Sequence, residues 1–332
     1  MLLEKLCNIA APSAYESDIR EIIKNEVKSY VDEVKVDRMG NIITHKKGNG
    51  KRVVVDAHMD EIGFIITGYN EDGTLKFAPL GVIDSKIVPC KVVKIGRKGI
   101  YGVIGLKPIH LQSNKEREEN INISSLCIDI GASSKKEAKE IVPLGEYASF
   151  TTKFESFGEG LIKGKALDDR VGCGVLIEIL KENYNCDLYG VFSVQEENEN
   201  RGAYIPAYNI KPDLVLILEG TICADAPNVE ERLKVTKLGE GPAISVMDVS
   251  CVFDYNIIEE IKHIAVNNSI PYQIRKSTAG NNDGGAYVMS GSSTKVVTIS
   301  VPCRYIHSAV SVCSLNDYEN TIKLTREYLK SL

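Results

Sequence analysis

The sequence predicts an α/β protein, a mixed sheet flanked by helices, interrupted by a small β-rich insertion of barrel-like character. Three observations carry this. Unbroken apolar runs such as "VLIL" (215–218) and "VVTISV" (296–301) fit strands buried on both faces of a sheet. After residue 160, strand-like and helix-like runs alternate. Between about 71 and 159 they do not: "EDGTLKFAPLG", "CKVVKIGRKGIYGVIG" and "ISSLCIDIGAS" are short apolar runs broken by Gly, Pro and Asp, the texture of a small barrel.

The elements follow in order. "ESDIREIIKNEVKSYV" sets Ile19, Ile22, Ile23, Val27 and Tyr30 on one helical face. "EVKVD", "NIITHKK", "RVVVDAH" and "EIGFIITGY" read as strands, with "GNG" (48–50) as a hairpin signal between the second and third. One short helix, "SKKEAKEI", falls in the insertion. Beyond it, "RVGCGVLIEILKE" reads as a helix, "DLYGVFSV" and "DLVLIL" as strands, "FDYNIIEEIKHIAVNN" as a helix and "TKVVTISVP" as a strand. The helix "NDYENTIKLTREYLKSL" closes the chain. The organisation expected is a discontinuous main domain, 1–70 with 160–332, carrying an insertion at 71–159.

Composition narrows the class. The 332 residues suffice for more than one core. A net charge of −5 gives no reason to expect nucleic acid or an anionic membrane as partner. No apolar run reaches the length of a membrane span. Glu4 interrupts a short apolar start that no basic region precedes, a poor signal peptide. Nine cysteines stand singly, with no CxxC pair, which points to reduced thiols and a cytoplasmic location.

The chemistry gathers where buried strands end. His58, Asp60 and Glu61 follow "RVVVDA"; Glu196 and Glu197 follow "DLYGVFSVQ"; Glu219 follows "DLVLIL"; His307 follows "VVTISVPCRYI"; Asp168 and Asp169 precede a helix. In open α/β sheets, ligands bind beyond the carboxyl ends of the strands. Imidazoles and carboxylates together suit zinc, cobalt or manganese. A pair of ions about 3.5–4 Å apart needs one bridging carboxylate and terminal ligands on each side, and this inventory supplies them. Asp60 stands where it could orient the His58 ring through its second nitrogen. Each motif alone has an ordinary reading: "QEEN" as a polar strand end, "ALDDR" as an acid-favouring helix start. His45 and His263 read as surface or structural, and His110 lies in the insertion. The joint occurrence of His58, His307 and the acidic motifs at strand ends favours metal.

At these residues the chain resembles the dinuclear-metal aminopeptidases of the glutamyl/leucyl type, some of which form tetrahedral assemblies and many of which carry an endoglucanase-like label. The landmarks are "DRMGNII" (37–43), "AHMDEIGF" (57–64), "KALDDRVG" (165–172), "VQEE" (194–197), "LEGT" (218–221), "NNDGGA" (281–286) and "RYIHS" (304–308). The resemblance implies a zinc-peptidase-like α/β domain with a small β domain used in assembly, a dodecamer built from dimers, and short peptides as substrates. It implies two divalent ions per subunit, zinc or cobalt, with manganese as a further choice. His58 and Glu219 would bind one, Glu197 and His307 the other, and Asp168 would bridge. Glu196 would be the general base and Asp60 the support of His58. The pattern departs at Asn198, Glu199 and Asn200, where relatives commonly have a Val-Gly-Leu-like stretch, and at Ala309 and Ser311, where they show Pro and Glu. An altered substrate preference, with acidic or polar first residues as candidates, is the expectation there.

Two rival readings remain in view. A retaining glycosidase would need carboxyl groups about 5–5.5 Å apart and no metal, leaving both histidines without a role. A peptide-binding or assembly protein that has lost turnover would fit the altered 198–200 segment but not the intact glutamate pair.

Overall fold

A computed structural model describes residues 1–332, the side chain of Glu116 excepted. Four parallel strands form the centre of an eleven-stranded sheet: Asp187–Ser193, Arg52–His58, Leu214–Ile222 and Lys295–Arg304, neighbours in that order. Arg52–His58 is buried from Val53 to its end, and Lys295–Arg304 from Val296 to Cys303, as their unbroken apolar runs require. Antiparallel strands extend the sheet on both sides. Ile42–Lys46 and Glu33–Val36 lie beyond Asp187–Ser193; Ser311–Ser314, Leu161–Gly164 and Glu155–Phe157 lie beyond Lys295–Arg304. The helix Leu167–Leu180 is buried on nearly every side, which its all-round apolar composition allows. The helices Tyr255–Asn267 and Leu315–Lys330 begin at side-chain caps, Asp254 and Ser314.

The glycines "GNG" do not close a hairpin. Asp187–Ser193 inserts between Ile42–Lys46 and Arg52–His58, antiparallel to the first and parallel to the second. A Cβ on Gly48 would lie 2.1 Å from the Cys186 carbonyl oxygen, so this glycine serves a close crossing of chains.

The β-rich insertion is a closed barrel of six strands. Around it run Gly63–Tyr69, Leu75–Leu80, Cys127–Asp129, Ile100–Gly105, Val92–Ile95 and Tyr147–Phe150, which pairs back to the first. Phe64 sits at its centre against Phe77 and Phe150, both edge-on at 5.1 and 5.3 Å. The barrel cluster begins at Ile62 and runs to Phe150, with Ala309 packed on from the far side; Leu3 to Met59 and Phe154 onward join the other cluster. Barrel packing therefore starts before residue 71 and stops before 159. The strand "GFIITGY" pairs with the next strand, Leu75–Leu80, and across the closure with Tyr147 and Ala148, which a single alternating run does not announce. Among the described residues, no helix is long and apolar enough to cross a membrane.

Candidate active site at the carboxyl ends of the sheet

The parallel strands deliver their acids and histidines to one edge. His58 is the last residue of its strand and lies in register with Ser193 on the next. Glu196 and Glu197 leave the sheet just beyond Ser193, through Gln195 at φ 54°. The Leu214–Ile222 strand runs past Glu219, which it holds in register with Ser300. A Cβ on the following residue, Gly220, would lie 3.1 Å from the Cα of Asp168, a tight approach that glycine eases. His307 comes after the Lys295–Arg304 strand, in a turn where Tyr305 and His307 have φ of 59° and 56°.

All seven expected residues converge. His58, Asp168 and Glu219 place ligand atoms within 4.8 Å of one another, and so do Asp168, Glu197 and His307. Asp168 belongs to both triads, with its two oxygens divided between them. Its Oδ1 is 3.4 Å from His58 Nε2 and its Oδ2 is 3.4 Å from His307 Nε2. Each imidazole has an oxygen facing its other nitrogen, hydrogen-bonded in His307 but not in His58. His58 Nδ1 is 3.3 Å from Asp60 Oδ1, and His307 Nδ1 is 3.0 Å from the Val82 carbonyl oxygen, which fixes its donor there.

The donor set fits cations. One ring nitrogen, His58 Nε2, faces Glu219 Oε1 at 3.2 Å, Asp168 Oδ1 at 3.4 Å and Glu196 Oε2 at 3.7 Å. A single N–H cannot serve three carboxylates, whereas one ion can take several of them as ligands. Asp168 Oδ1 is buried with no hydrogen-bond partner. The electrostatics agree. Burial raises the carboxyls of Glu196 and Glu219 well above the usual range, against the pull of His58. Burial likewise lifts Glu197, to about 7, with His307 opposing. Burial alone would lower the imidazolium of His58, but Glu219, Glu196, Asp168 and Asp60 outweigh it. His307 is raised to about 10 in the same way, by Glu197 and Asp168. Within the two triads, two imidazoles thus face three buried or half-buried carboxylates.

Several supports were not evident from the sequence. Asp60 accepts the Ser13 hydroxyl at 2.6 Å and the backbone N–H groups of Glu196 and Glu197 at 3.0 and 3.3 Å. It therefore ties the glutamate pair to the N-terminal segment as well as facing His58. Asp169 accepts the His58 backbone N–H at 3.2 Å. Asp283, inside the "NNDGGA" landmark, accepts from Ser193 Oγ at 2.5 Å. His45 is held 2.7 Å from Asp187 and stacks on Tyr189, while His110 and His263 are exposed; none of the three joins the cluster. The site opens into a cleft of about 1250 Å³ lined further out by Tyr204, Ile222, Arg275, Met289 and Tyr305.

The chain as a whole has known relatives. Residues 40–324 match the family model of the M42 glutamyl aminopeptidases. The chain belongs to that family. It is accordingly a hydrolase of peptide bonds, of the aminopeptidase class. The lysyl aminopeptidase of Pyrococcus furiosus is 33% identical over 100% of this chain and 96% of its own length. The TET1 peptidase of Pyrococcus horikoshii, which can assemble into a tetrahedron or a large octahedral shell, superposes with a TM-score of 0.89. It is 34% identical over 99% of this chain and 98% of that one. A Thermotoga maritima structure named endoglucanase is 36% identical, with a TM-score of 0.82 over 99% of this chain and 96% of its own. The mixed α/β architecture with an inserted barrel is the M42 architecture.

Proposed function

We propose that this M42 protein removes N-terminal residues from short peptides with two divalent ions, zinc or cobalt foremost and manganese as a further choice. The observation that carries the reading is the pair of triads sharing Asp168. His58 and Glu219 would hold one ion, Glu197 and His307 the other, and Asp168 both. When bound, the ions lower the pKa of water and polarise the scissile carbonyl. Glu196 is the general base: its carboxylate takes the proton of the attacking water and returns it to the leaving amine. Asp60 keeps the His58 ring turned with Nε2 inward and anchors the backbone of both glutamates. The cleft walls exclude water from one side of the scissile bond and receive the first side chain.

The barrel is proposed as the assembly module, set within a catalytic part formed by the segments that flank it, and the assembly as a dodecamer built from dimers. The assembling TET1 relative supports this. A closed shell would admit only short or unfolded peptides. The nine cysteines are unpaired, in keeping with a cytoplasmic location.

The test is a pair of variants assayed for ion content and for hydrolysis of an aminoacyl-anilide panel. Glu196→Gln should keep both ions and lose about 10²–10⁴-fold in turnover. Glu197→Gln should bind one ion poorly, with partial rescue by excess metal. Anilide hydrolysis that survives complete metal stripping would defeat the reading.

A further inference from the structure

The polar segment that follows the glutamate pair contains one residue turned inward. Glu199 points to solvent, whereas Asn200 is buried, with 6% of its surface exposed. Its side-chain amide nitrogen donates to Glu196 Oε1 at 2.8 Å and lies 3.3 Å from Asp283 Oδ1. Its amide oxygen accepts from Asn281 Nδ2 at 2.5 Å. Both donor hydrogens and the acceptor are thus committed, so the amide has one orientation. Its backbone, at φ 56°, is a conformation asparagine tolerates better than most residues. Asp283 is fixed in turn by Ser193, the last residue of the strand beside His58. The chain of contacts runs from sheet to carboxylate without a gap.

We propose that Asn200 is a positioning residue for Glu196. It holds Oε1 and leaves Oε2, the oxygen 3.7 Å from His58 Nε2, as the one that faces the reacting water. The proposal rests on Glu196 being the base. A glutamate carboxylate on three side-chain torsions has other places to go, and a hydrogen bond from a fixed amide limits them. Misplacement of a reacting group by about 1 Å costs on the order of 10²-fold in rate.

Asn200→Gly deletes the amide and keeps a backbone that accepts positive φ. It should lower kcat by roughly 10–100-fold with KM changed less than about twofold and ion content unchanged. Introduced into Glu196→Gln, it should cause almost no further loss, because there is no longer a base to place. Asn281→Ala, which frees the amide without touching the loop, should give a smaller fall in kcat with KM held, and serves if Asn200→Gly does not fold. A dead Glu196→Gln beside Asn200→Gly or Asn281→Ala of full kcat would overturn the positioning role alone. So would a loss of ions in Asn200→Gly, or equal fold-losses in both backgrounds. A fully active Glu196→Gln would overturn the base assignment and this proposal with it.

Discussion

The barrel and the carboxyl edge of the main sheet are built on opposite terms. Between Ile62 and Phe150 the buried residues are apolar apart from Ser149, and no charged side chain is buried among the described residues there. At the sheet edge Asp56, His58, Asp60, Glu61, Asp168, Asp169, Glu197 and Asp283 are all buried. Burying one ionised group without full compensation is expensive, and here most of the acids are held above their ordinary pKa by burial. The barrel is packed for stability. The sheet edge keeps like charges together at a cost in stability, which is the arrangement expected of a site waiting for cations. Substitutions should therefore separate the two regions. At the edge they should take function first; in the barrel they should take stability first.

The sharpest break comes from Asp168. It is the single side chain common to both triads. Asp168→Asn should lose affinity for both ions and at least about 10³-fold in kcat/KM, roughly 4 kcal/mol of barrier, while near-ultraviolet dichroism stays that of a folded chain. Retention of both ions at stoichiometry would show that the two triads are independent.

In the barrel, Phe150→Ala removes one edge-on partner of Phe64 from a tightly packed centre. About 3–5 kcal/mol of stability should be lost, seen as an earlier thermal transition, with ion content and kcat at room temperature nearly unchanged. A matching loss of kcat would mean that the two regions are not separable. The contrast also explains what could be read beforehand. His58, Asp168, Glu196, Glu197, Glu219 and His307 were legible because each follows or precedes an apolar run that announces its strand or helix. The limits of the barrel were not, because Gly63–Tyr69 pairs with the next strand, Leu75–Leu80, but the barrel closes on it only through Tyr147 and Ala148, far along the chain. Ser13 and Asp283 have no role in the sequence reading, and Asn200 figures there only as a departure bearing on substrate preference, for a related reason. Their hydrogen bonds are made across the fold, and a lone polar residue in a loop carries no period to mark it.

A smaller effect reports on the edge through pH. Glu16 is buried beside Asp60, and its carboxyl is pushed up to about 7, by burial first and by Asp60 next. Below about pH 4.5 the group is protonated in both folded and unfolded chains and contributes nothing. As pH rises from there through about 7, the folded chain holds the proton more tightly than the unfolded one, so stability falls, by up to about 3 kcal/mol. Glu16→Gln can still accept from the Ala14 and Gln195 N–H groups that Glu16 Oε1 now serves. Its melting temperature should match the wild type near pH 4.5 and exceed it at pH 8. A difference of constant size across that range would show that Glu16 does not carry the charge penalty ascribed to it.

The smallest effect divides two neighbours. Glu199 and Asn200 both have positive φ, 71° and 56°. Asn200 uses its side chain fully, but that of Glu199 is 87% exposed and comes no nearer to a cation than 3.8 Å, at Arg201. A non-glycine residue in the left-handed region carries a penalty of about 1–2 kcal/mol, of which asparagine escapes a part. Replacing Glu199 with glycine removes that penalty. It also adds freedom to the unfolded chain, worth about 0.4–1 kcal/mol in the other direction. The net gain for Glu199→Gly should be several tenths of a kcal/mol, a rise in melting temperature of roughly 1–3 °C with ion content unchanged. Asn200→Gly relieves less strain and severs the contact to Glu196, so its signature is the fall in kcat. Two adjacent substitutions to the same residue, at the same sign of φ, should thus move different observables. A lower melting temperature for Glu199→Gly would show that the strain relieved at this residue is smaller than the freedom glycine adds to the unfolded chain.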